Sequence, residues 1–413
     1  MKILQLCPKP PFPQLDGGCI AMNNITWGLI HQNHEVKVIA IHTPKHPIIK
    51  NDEYVKFLQF TQFESVFVDT KVKWPALLKA LIFNYSYNVR RFDSKNFHQK
   101  LIDLLKKEQF DIIQLETIYM APYIQTIQSY SQAKVVLRLH NIEHKIWERL
   151  VQNEKNLVKK LVLKRLSSSL KKFELSQISK VDAFSTISDV DYSYFHQIVP
   201  QTIGATIPFG INLDEYVVDD DYIPSKEPKL FHIGSMDWLP NIEGIEWFLN
   251  EVWPLVIEKH PHIQFVIAGR NIPESFKKFK SKNFTIAGEV PDAKNFILAH
   301  DIMIVPLHSG SGVRIKIIEA MALGKTIITT PVGAEGLDVT DGKNIYIANS
   351  IEEMVEKISN CIKTPEICKI MGENARNYVT LQHHNNSITD KIISFFNSLI
   401  HENSKSNESI KSN

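Results

Sequence analysis

The sequence predicts an α/β fold of two successive units, each a parallel sheet covered by helices. Three observations predict it. Short apolar runs alternate with segments of helical period along most of the 413 residues. The alternation is interrupted between Pro208 and Pro228 by Gly210, the acids Asp219, Asp220 and Asp221 and further prolines, and then restarts. The length also suits two or three domains of ~100–200 residues each.

Each element follows from its local pattern. Lys2–Cys7 and Glu35–His42 are apolar runs of strand length, and the apolar stretch Ile20–His31 lies between them at helical length. Phe97–Lys107 reads as a helix before the strand Phe110–Glu116, and the helix Tyr119–Tyr130 separates that strand from Lys134–His140. A long helix from about Ile142 to Ile178 precedes the strand Asp182–Ile187. In the second half the strands are Lys229–Gly234, Ile263–Ala268, Phe284–Ala287, Ile302–Leu307 and Thr326–Thr330. Helices Gly244–His260, Ala293–His300 and Val313–Leu323 connect them, and Ser350–Ile362, Pro365–Leu381 and Asn385–Ile400 come after. The expected division is residues 1–206 and 207–381, with a last helix at about 382–400 and a tail, 401–413, too poor in apolar residues to order itself.

Composition narrows the function. With 44% hydrophobic and 22% charged residues the chain is globular in type. No run reaches the ~18 apolar residues of a spanning helix, and the N-terminal apolar stretch ends at prolines before a signal peptide could form. A cytoplasmic protein is therefore expected. A net charge of +2 excludes a strongly basic nucleic-acid binder. The spacings of Cys7, Cys19, Cys361 and Cys368 fit neither a zinc site nor a disulfide framework, so all four read as structural thiols.

Three stretches carry chemistry. In PPFPQLDGG, Pro10–Gly18, the pair Gly17 and Gly18 either lets helix-start amides approach an anion or sugar, or makes a plain turn. In RLHNIEH, Arg138–His144, a basic residue and His140 stand at the carboxyl end of a parallel strand, the edge where open α/β sheets bind ligands. The third stretch is IMIVPLHSGSGVRIKIIEAMALGKTIITTPVGAEGL, Ile302–Leu337. Here a strand leads into the loop Ser309, Gly310, Ser311, Gly312 and then a helix with Arg314 and Lys316 in its first turn and Glu319 a turn later. Helix-start amides with two cations suit a diphosphate. Basic residues in a first helical turn oppose the helix dipole, so an anion is expected to compensate them. A carboxylate further along can accept from a ribose diol.

The run Gly310–Gly336, with FHIGSMDWLPNIEGIEWFLNEVWPLV at Phe231–Val256, FVIAGRN at Phe265–Asn271 and AGEVPD at Ala287–Asp292, resembles the nucleotide-sugar half of GT-B glycosyltransferases, the retaining group called family 4 or group 1. PPFPQLDGG and HNIEH resemble the acceptor half. The resemblance implies two Rossmann-like domains facing across a cleft that closes over the donor, with the last helix crossing back to the first domain. It implies that Glu319, the second glutamate of a Glu-x7-Glu motif, binds ribose, that His140 stands near the donor sugar, and that Gly17 and Gly18 form the N-terminal glycine loop. Glu289 and Val290 then follow the strand lining the base pocket. Two positions depart from the family pattern: Ser311 stands in place of the first glutamate, and GSMDWLPN, Gly234–Asn241, lacks the usual arginine and lysine, so that Arg314 and Lys316 would supply the charge.

The resemblance thus implies a metal-independent hexosyltransferase with no cofactor, taking a UDP- or GDP-sugar as donor and a glycan or lipid-linked acceptor of surface polysaccharide. It also leaves open a GT-B nucleotide-sugar 2-epimerase or a non-catalytic nucleotide-sugar or glycan-binding module. Asp219–Asp221 spells a DxD motif that would bridge a divalent ion to a diphosphate, but its place in the linker reads as a solvated acidic loop. Residues Lys145–Lys180 hold ten Lys and Arg against three Glu, a local charge of +7 beside an apolar stripe. Peripheral contact with anionic lipid on the inner membrane face, or a solvated basic face, would explain it.

Overall fold

Seven parallel strands form the first sheet: β1 (Lys2–Cys7), β2 (Glu35–His42), β3 (Glu64–Phe67), β4 (Ile112–Glu116), β5 (Lys134–Leu139), β6 (Ala183–Thr186) and β7 (Ile203–Thr206). Their order in the computed structural model is β3-β2-β1-β4-β5-β6-β7. β1 pairs with β2 on one side, Lys2 opposite Glu35, and with β4 on the other, Ile3 opposite Ile112. Strand order therefore reverses between β1 and β4, which opens a crevice at their carboxyl ends. Helices cover both faces, so β4 is buried at every position and reads as a continuous run rather than an alternating one.

The second sheet has the same winding. β8 (Leu230–Ile233), β9 (Phe265–Ala268), β10 (Phe284–Gly288), β11 (Ile302–Val305), β12 (Thr326–Thr329) and β13 (Tyr346–Ile347) lie in the order β10-β9-β8-β11-β12-β13, all parallel. Its reversal falls between β8 and β11. Described are residues 1–218, 225, 227–310 and 312–411, with 402–411 as backbone; Asp219–Asp221 and Ser311 lie outside the described residues.

The chain divides into Met1–Gly210 with Asn385–Asn413, and Ile211–His384. The last helix, Asn385–Lys411, is part of the first unit. Ile388, Ile392, Phe396 and Leu399 recur at helical spacing and share a core with Met22, Ile25 and Leu29 of the helix Gly17–His31. Asn385 Nδ2 donates to the Asn24 carbonyl at 3.1 Å, and Gln32 Nε2 donates to Asp390 at 2.7 Å.

The structure departs from the sequence pattern at several places. β3 and β7 are edge strands of ESVF and IGAT, only partly buried, so neither shows the apolar run that marks an interior strand. The helix read from about Ile142 to Ile178 is two, Glu143–Asn153 and Leu157–Ile178. Between them Glu154 is extended and Asn156 caps the second helix by accepting from Lys159 N. The two fold back on each other, with Lys171 on Glu148 at 3.1 Å, so the basic residues of 145–180 share no single helix face. The first helix begins at Gly17, ahead of Ile20, because the Asp16 carboxylate caps it through Cys19 N. Residues 401–411, read as disordered, continue the last helix: the segment has neither Gly nor Pro to stop it, and extending a formed helix costs little.

Candidate functional site

At the carboxyl end of β11 the chain runs through Leu307–Gly310 and, past Gly312, into the helix Ile315–Ala322. Arg314 is the N-cap of that helix, in extended conformation, and lies one residue outside its first turn. Lys316 is in the turn. Gly310 has φ +106°, and a Cβ there would stand 2.8 Å from the Trp238 ring and 3.1 Å from Arg314 Nη2, so the loop closes over both only with glycine. The Arg314 guanidinium lies 5.2 Å from the centre of the Trp238 ring and donates to the Val332 carbonyl at 3.3 Å. It is only 5% exposed, a buried cation stacked on an aromatic face.

Lys316 Nζ donates to Asn241 Oδ1 at 2.7 Å and reaches His232 Nε2 at 3.3 Å. His232 in β8 is fully buried and donates from Nδ1 to the Ile304 carbonyl at 2.7 Å. Its Nε2 is thus the acceptor nitrogen, and burial together with the lysine charge holds the imidazole neutral, well below its usual value. Burial, then the charge of Arg314, brings the Lys316 amine down to about 7. The fixed guanidinium charge disfavours a second cation beside it, so Lys316 holds its proton more readily once an anion joins them. Ser309 is buried and donates to Glu243 Oε2 at 2.8 Å, so the hydroxyl itself is committed inward.

One turn beyond Lys316, Glu319 accepts from the Tyr216 hydroxyl at 2.9 Å. Burial raises the Glu319 carboxyl, against the opposing pull of that hydrogen bond and of Lys294. Tyr216 is itself buried, its carbonyl held by Arg376 Nη1 at 2.8 Å and its ring beneath Lys294 at 4.5 Å. Beside β8, Gly234 N donates to Ala268 O at 3.1 Å and Gly269 N to Gly288 O at 2.8 Å. Gly269, Asn271, Ile272, Lys277, Gly288 and Glu289 help to line a hollow of ≈ 250 Å³ there. Glu289 is exposed at its rim, and Val290 is half-buried beyond it.

In the first unit His140 follows β5 directly. His140 Nε2 lies 2.6 Å from Glu116 Oε2 and 3.0 Å from Arg138 Nη1. The shorter contact fixes the proton on Nε2, donated to Glu116, which leaves Nδ1 as the acceptor nitrogen of the neutral ring. Burial works to raise the fully buried Glu116 carboxyl, but the hydrogen bond from His140 and the charge of Arg138 outweigh it and hold the carboxyl at about 2. Gln5 Nε2 donates to the other Glu116 oxygen at 2.9 Å, and Thr26 holds Gln5 in turn at 2.6 Å. Burial, opposed by Glu116, lowers His140 below the usual imidazole range.

Next to it, Glu143 accepts from the Tyr119 hydroxyl at 2.6 Å, and Glu143 N donates to Glu174 at 3.0 Å. Burial, with Glu174 adding to it, pushes the Glu143 carboxyl up to about 7. His144 is a core residue: its Nδ1 lies 2.5 Å from Glu174 and its Nε2 2.8 Å from the Tyr194 hydroxyl. Gly17 and Gly18 are in the first helical turn, and Lys9 occupies the space above Gly18, 2.8 Å from where a Cβ would stand. Asp16, Cys19 and His46 bring three ligand-type atoms within 4.8 Å of one another, but Lys9 Nζ donates to both Asp16 oxygens at 2.6 and 2.7 Å. An ammonium on both oxygens fits a metal ligand poorly.

The structure thus gathers Gly310, Arg314 and Lys316 at the β8–β11 reversal, with Glu319 a turn further along the same helix, and places His140 at the carboxyl end of the interior strand β5. Sequence reasoning missed Asn241, His232 and Trp238 as partners of the two cations, and Glu116 behind His140. A polar residue inside an apolar strand, as in LFHI or IIQLE, was the available signal for His232 and Glu116.

Residues 227–364 match the family model described as Glycosyl transferases group 1. An uncharacterized 44.6 kDa protein in the cps region of Klebsiella pneumoniae is 24% identical over 289 residues, covering 67% of this chain and 71% of that one. A sucrose-phosphate synthase from Thermosynechococcus elongatus superposes with a TM-score of 0.71 at 15% identity, covering 97% of this chain and 100% of that one. Anabaena HepE in complex with UDP-glucose superposes at 0.64 with 12% identity, over 96% of this chain and 100% of that one. These structural likenesses establish the fold.

Proposed function

We propose that this chain, a GT-B glycosyltransferase whose residues 227–364 carry the group 1 domain, moves a hexosyl group from a nucleoside diphosphate sugar to a glycan or lipid-linked acceptor with retention at the anomeric carbon. The observation that carries the reading is the pairing of a buried cation, Arg314, and a half-buried one, Lys316, with Glu319 one turn later, at the reversal of a doubly wound sheet. In this reading the diphosphate lies on Arg314, Lys316 and the amides around Ser309, Gly310 and Gly312. The ribose diol donates to Glu319, and Glu289 and Val290 flank the base.

As the glycosidic bond breaks, charge grows on the β-phosphate. Cations already fixed at that place stabilise it without reorganising. Lys316, drawn down to about 7 by its surroundings, regains its proton as the dianion binds. The acceptor hydroxyl attacks the face from which the nucleotide departs and gives its proton to the leaving phosphate, so no metal and no cofactor is needed. His140, held as one tautomer by Glu116, accepts from a donor-sugar hydroxyl through Nδ1 and orients the ring. Gly17 and Gly18 let the chain pass close to the sugar. HepE is solved with UDP-glucose, which supports a UDP-sugar as donor, and the cps-region relative supports a surface polysaccharide as product. Such a reaction belongs in the cytoplasm, at the inner membrane face where lipid-linked acceptors are presented.

The test is a thermal-shift series of the purified chain against UDP, GDP, ADP, CMP and dTDP, repeated on Arg314→Ala. One nucleotide should raise the melting temperature, because a ligand that binds only the folded state stabilises it, by about 2.7 kcal/mol at a hundredfold excess over Kd. That rise should vanish in the variant. No shift with any nucleotide would remove the donor-site reading.

A further inference from the structure

The helix Trp74–Phe83 has apolar residues on two sides. Leu77 and Ala80 are buried against Leu166 and Tyr87. On the other side Trp74, Leu78 and Ile82, spaced at i, i+4 and i+8, are 71%, 59% and 71% exposed. A helix apolar at every position but Lys79, with large side chains left in water, lacks a partner for one face. Packed beside it, the start of the helix Leu157–Ile178 leaves Leu157, Val158 and Leu161 70–77% exposed. Arg165 Nε donates to the Leu81 carbonyl at 3.2 Å, and Val162 joins Leu77 and Ala80 in one cluster, so the two helices present their exposed stripes together.

The charge around these stripes has one sign. Segments 69–83 and 153–165 hold eight Lys and Arg against Asp69 and Glu154, a local +6 in a chain of +2. Both acids are matched by lysines, Asp69 by Lys73 at 3.5 Å and Glu154 by Lys159 at 2.6 Å. Large apolar side chains ringed by lysines, whose stems can bury while their ammonium groups stay in water, match an acyl layer under anionic headgroups. No helix among the described residues is long and apolar enough to cross a membrane, so this pair would lie on the surface.

We propose that the paired helices 74–83 and 157–165 dock the first unit on an anionic lipid bilayer, with Trp74, Leu78 and Ile82 inserted. This deepens the lipid-linked acceptor reading and rests on it for its purpose. The docking surface differs from the charge run 145–180 in drawing Trp74, Leu78 and Ile82 from a helix outside that run.

The experiment is co-sedimentation of the full chain with phosphatidylcholine vesicles, with and without phosphatidylglycerol. Three proteins are compared: wild type, the triple variant Trp74→Ser, Leu78→Ser, Ile82→Ser, and the triple variant Lys155→Glu, Lys160→Glu, Lys164→Glu. Wild type should bind the phosphatidylglycerol vesicles, at least about tenfold more weakly at high salt, and either variant should lose about tenfold or more. Absence of vesicle binding, or binding indifferent to the serine substitutions, overturns the proposal. So does a wild-type oligomer on size-exclusion chromatography that the serine variant dissolves without any vesicle binding, since the face would then join two copies. The nucleotide-induced thermal shift, measured on the same proteins, reports folding of the variants. It also separates the two ideas: vesicle binding with no nucleotide shift would sink the donor site and leave the docking surface standing.

Discussion

Tyr216 donates its hydroxyl to Glu319 Oε1 at 2.9 Å across 103 residues of sequence, and so fixes the one carboxylate on the helix that follows the glycine loop. Tyr216→Phe removes a hydrogen bond to a half-buried carboxylate and should weaken nucleoside diphosphate binding by about 1.5–3 kcal/mol. Glu319→Ala should go further and erase the preference for a ribonucleotide over its 2′-deoxy counterpart. Calorimetric titration with both nucleotides checks this; an undiminished preference in Glu319→Ala would show that the ribose lies elsewhere.

Arg314 is held by Trp238 and by the Val332 carbonyl, so its guanidinium is in position before any ligand arrives. Arg314→Ala should cost about 2 kcal/mol or more in diphosphate affinity. Arg314→Lys should recover little of it, because an ammonium cannot reproduce the planar stack. Recovery of wild-type affinity by lysine would reduce Arg314 to a point charge.

Lys316 gives a pH signature with a definite sign. Its amine is at about 7 in the folded protein against 10.5 without the fold, so between those values the unfolded chain binds the extra proton. Stability of the ligand-free protein from this group should therefore rise as pH increases from 7 to 10.5. Diphosphate binding should take up a proton over the same window and weaken as pH rises. Titration at pH 8 in buffers of different ionisation enthalpy measures that proton, which Lys316→Met should abolish.

Glu116 acts with the opposite sign. Its carboxyl, held at about 2 against 4.5, contributes stability that is complete above 4.5 and lost as pH falls from there towards 2. Glu116→Gln should flatten this acid limb and, by leaving Arg138 buried without its charge partner, cost about 3–5 kcal/mol in urea unfolding. Turnover in that variant should fall together with sugar orientation at His140, while nucleotide binding to the second unit stays intact. Equal loss of both would assign Glu116 to folding alone.

Interior strands such as β4 and β11 were legible because burial on both faces leaves an unbroken apolar run that needs no partner to be recognised. Edge strands β3 and β7 were not, since their half-buried residues look like loop. Within the site, the glycine loop, Arg314, Lys316 and Glu319 stand within eleven residues of one another and declared themselves by spacing. Asn241, His232 and Tyr216 come from other segments; His232 was marked only as a polar residue within an apolar strand, and nothing local distinguishes Asn241 and Tyr216 from ordinary core or loop residues.

Two successive units of parallel sheet covered by helices, and a glycine loop followed by two cations and a carboxylate, could be read along the chain, because hydrophobic period and helix-start chemistry are properties of neighbours in sequence. Tertiary structure alone decided which nitrogen of His140 holds its proton, how far Lys316 is drawn from its ordinary charge, and that one long basic stretch folds back as two helices beside an exposed apolar one. Each of those depends on desolvation and on partners brought in from tens to a hundred or so residues away, and the local pattern carries no record of either.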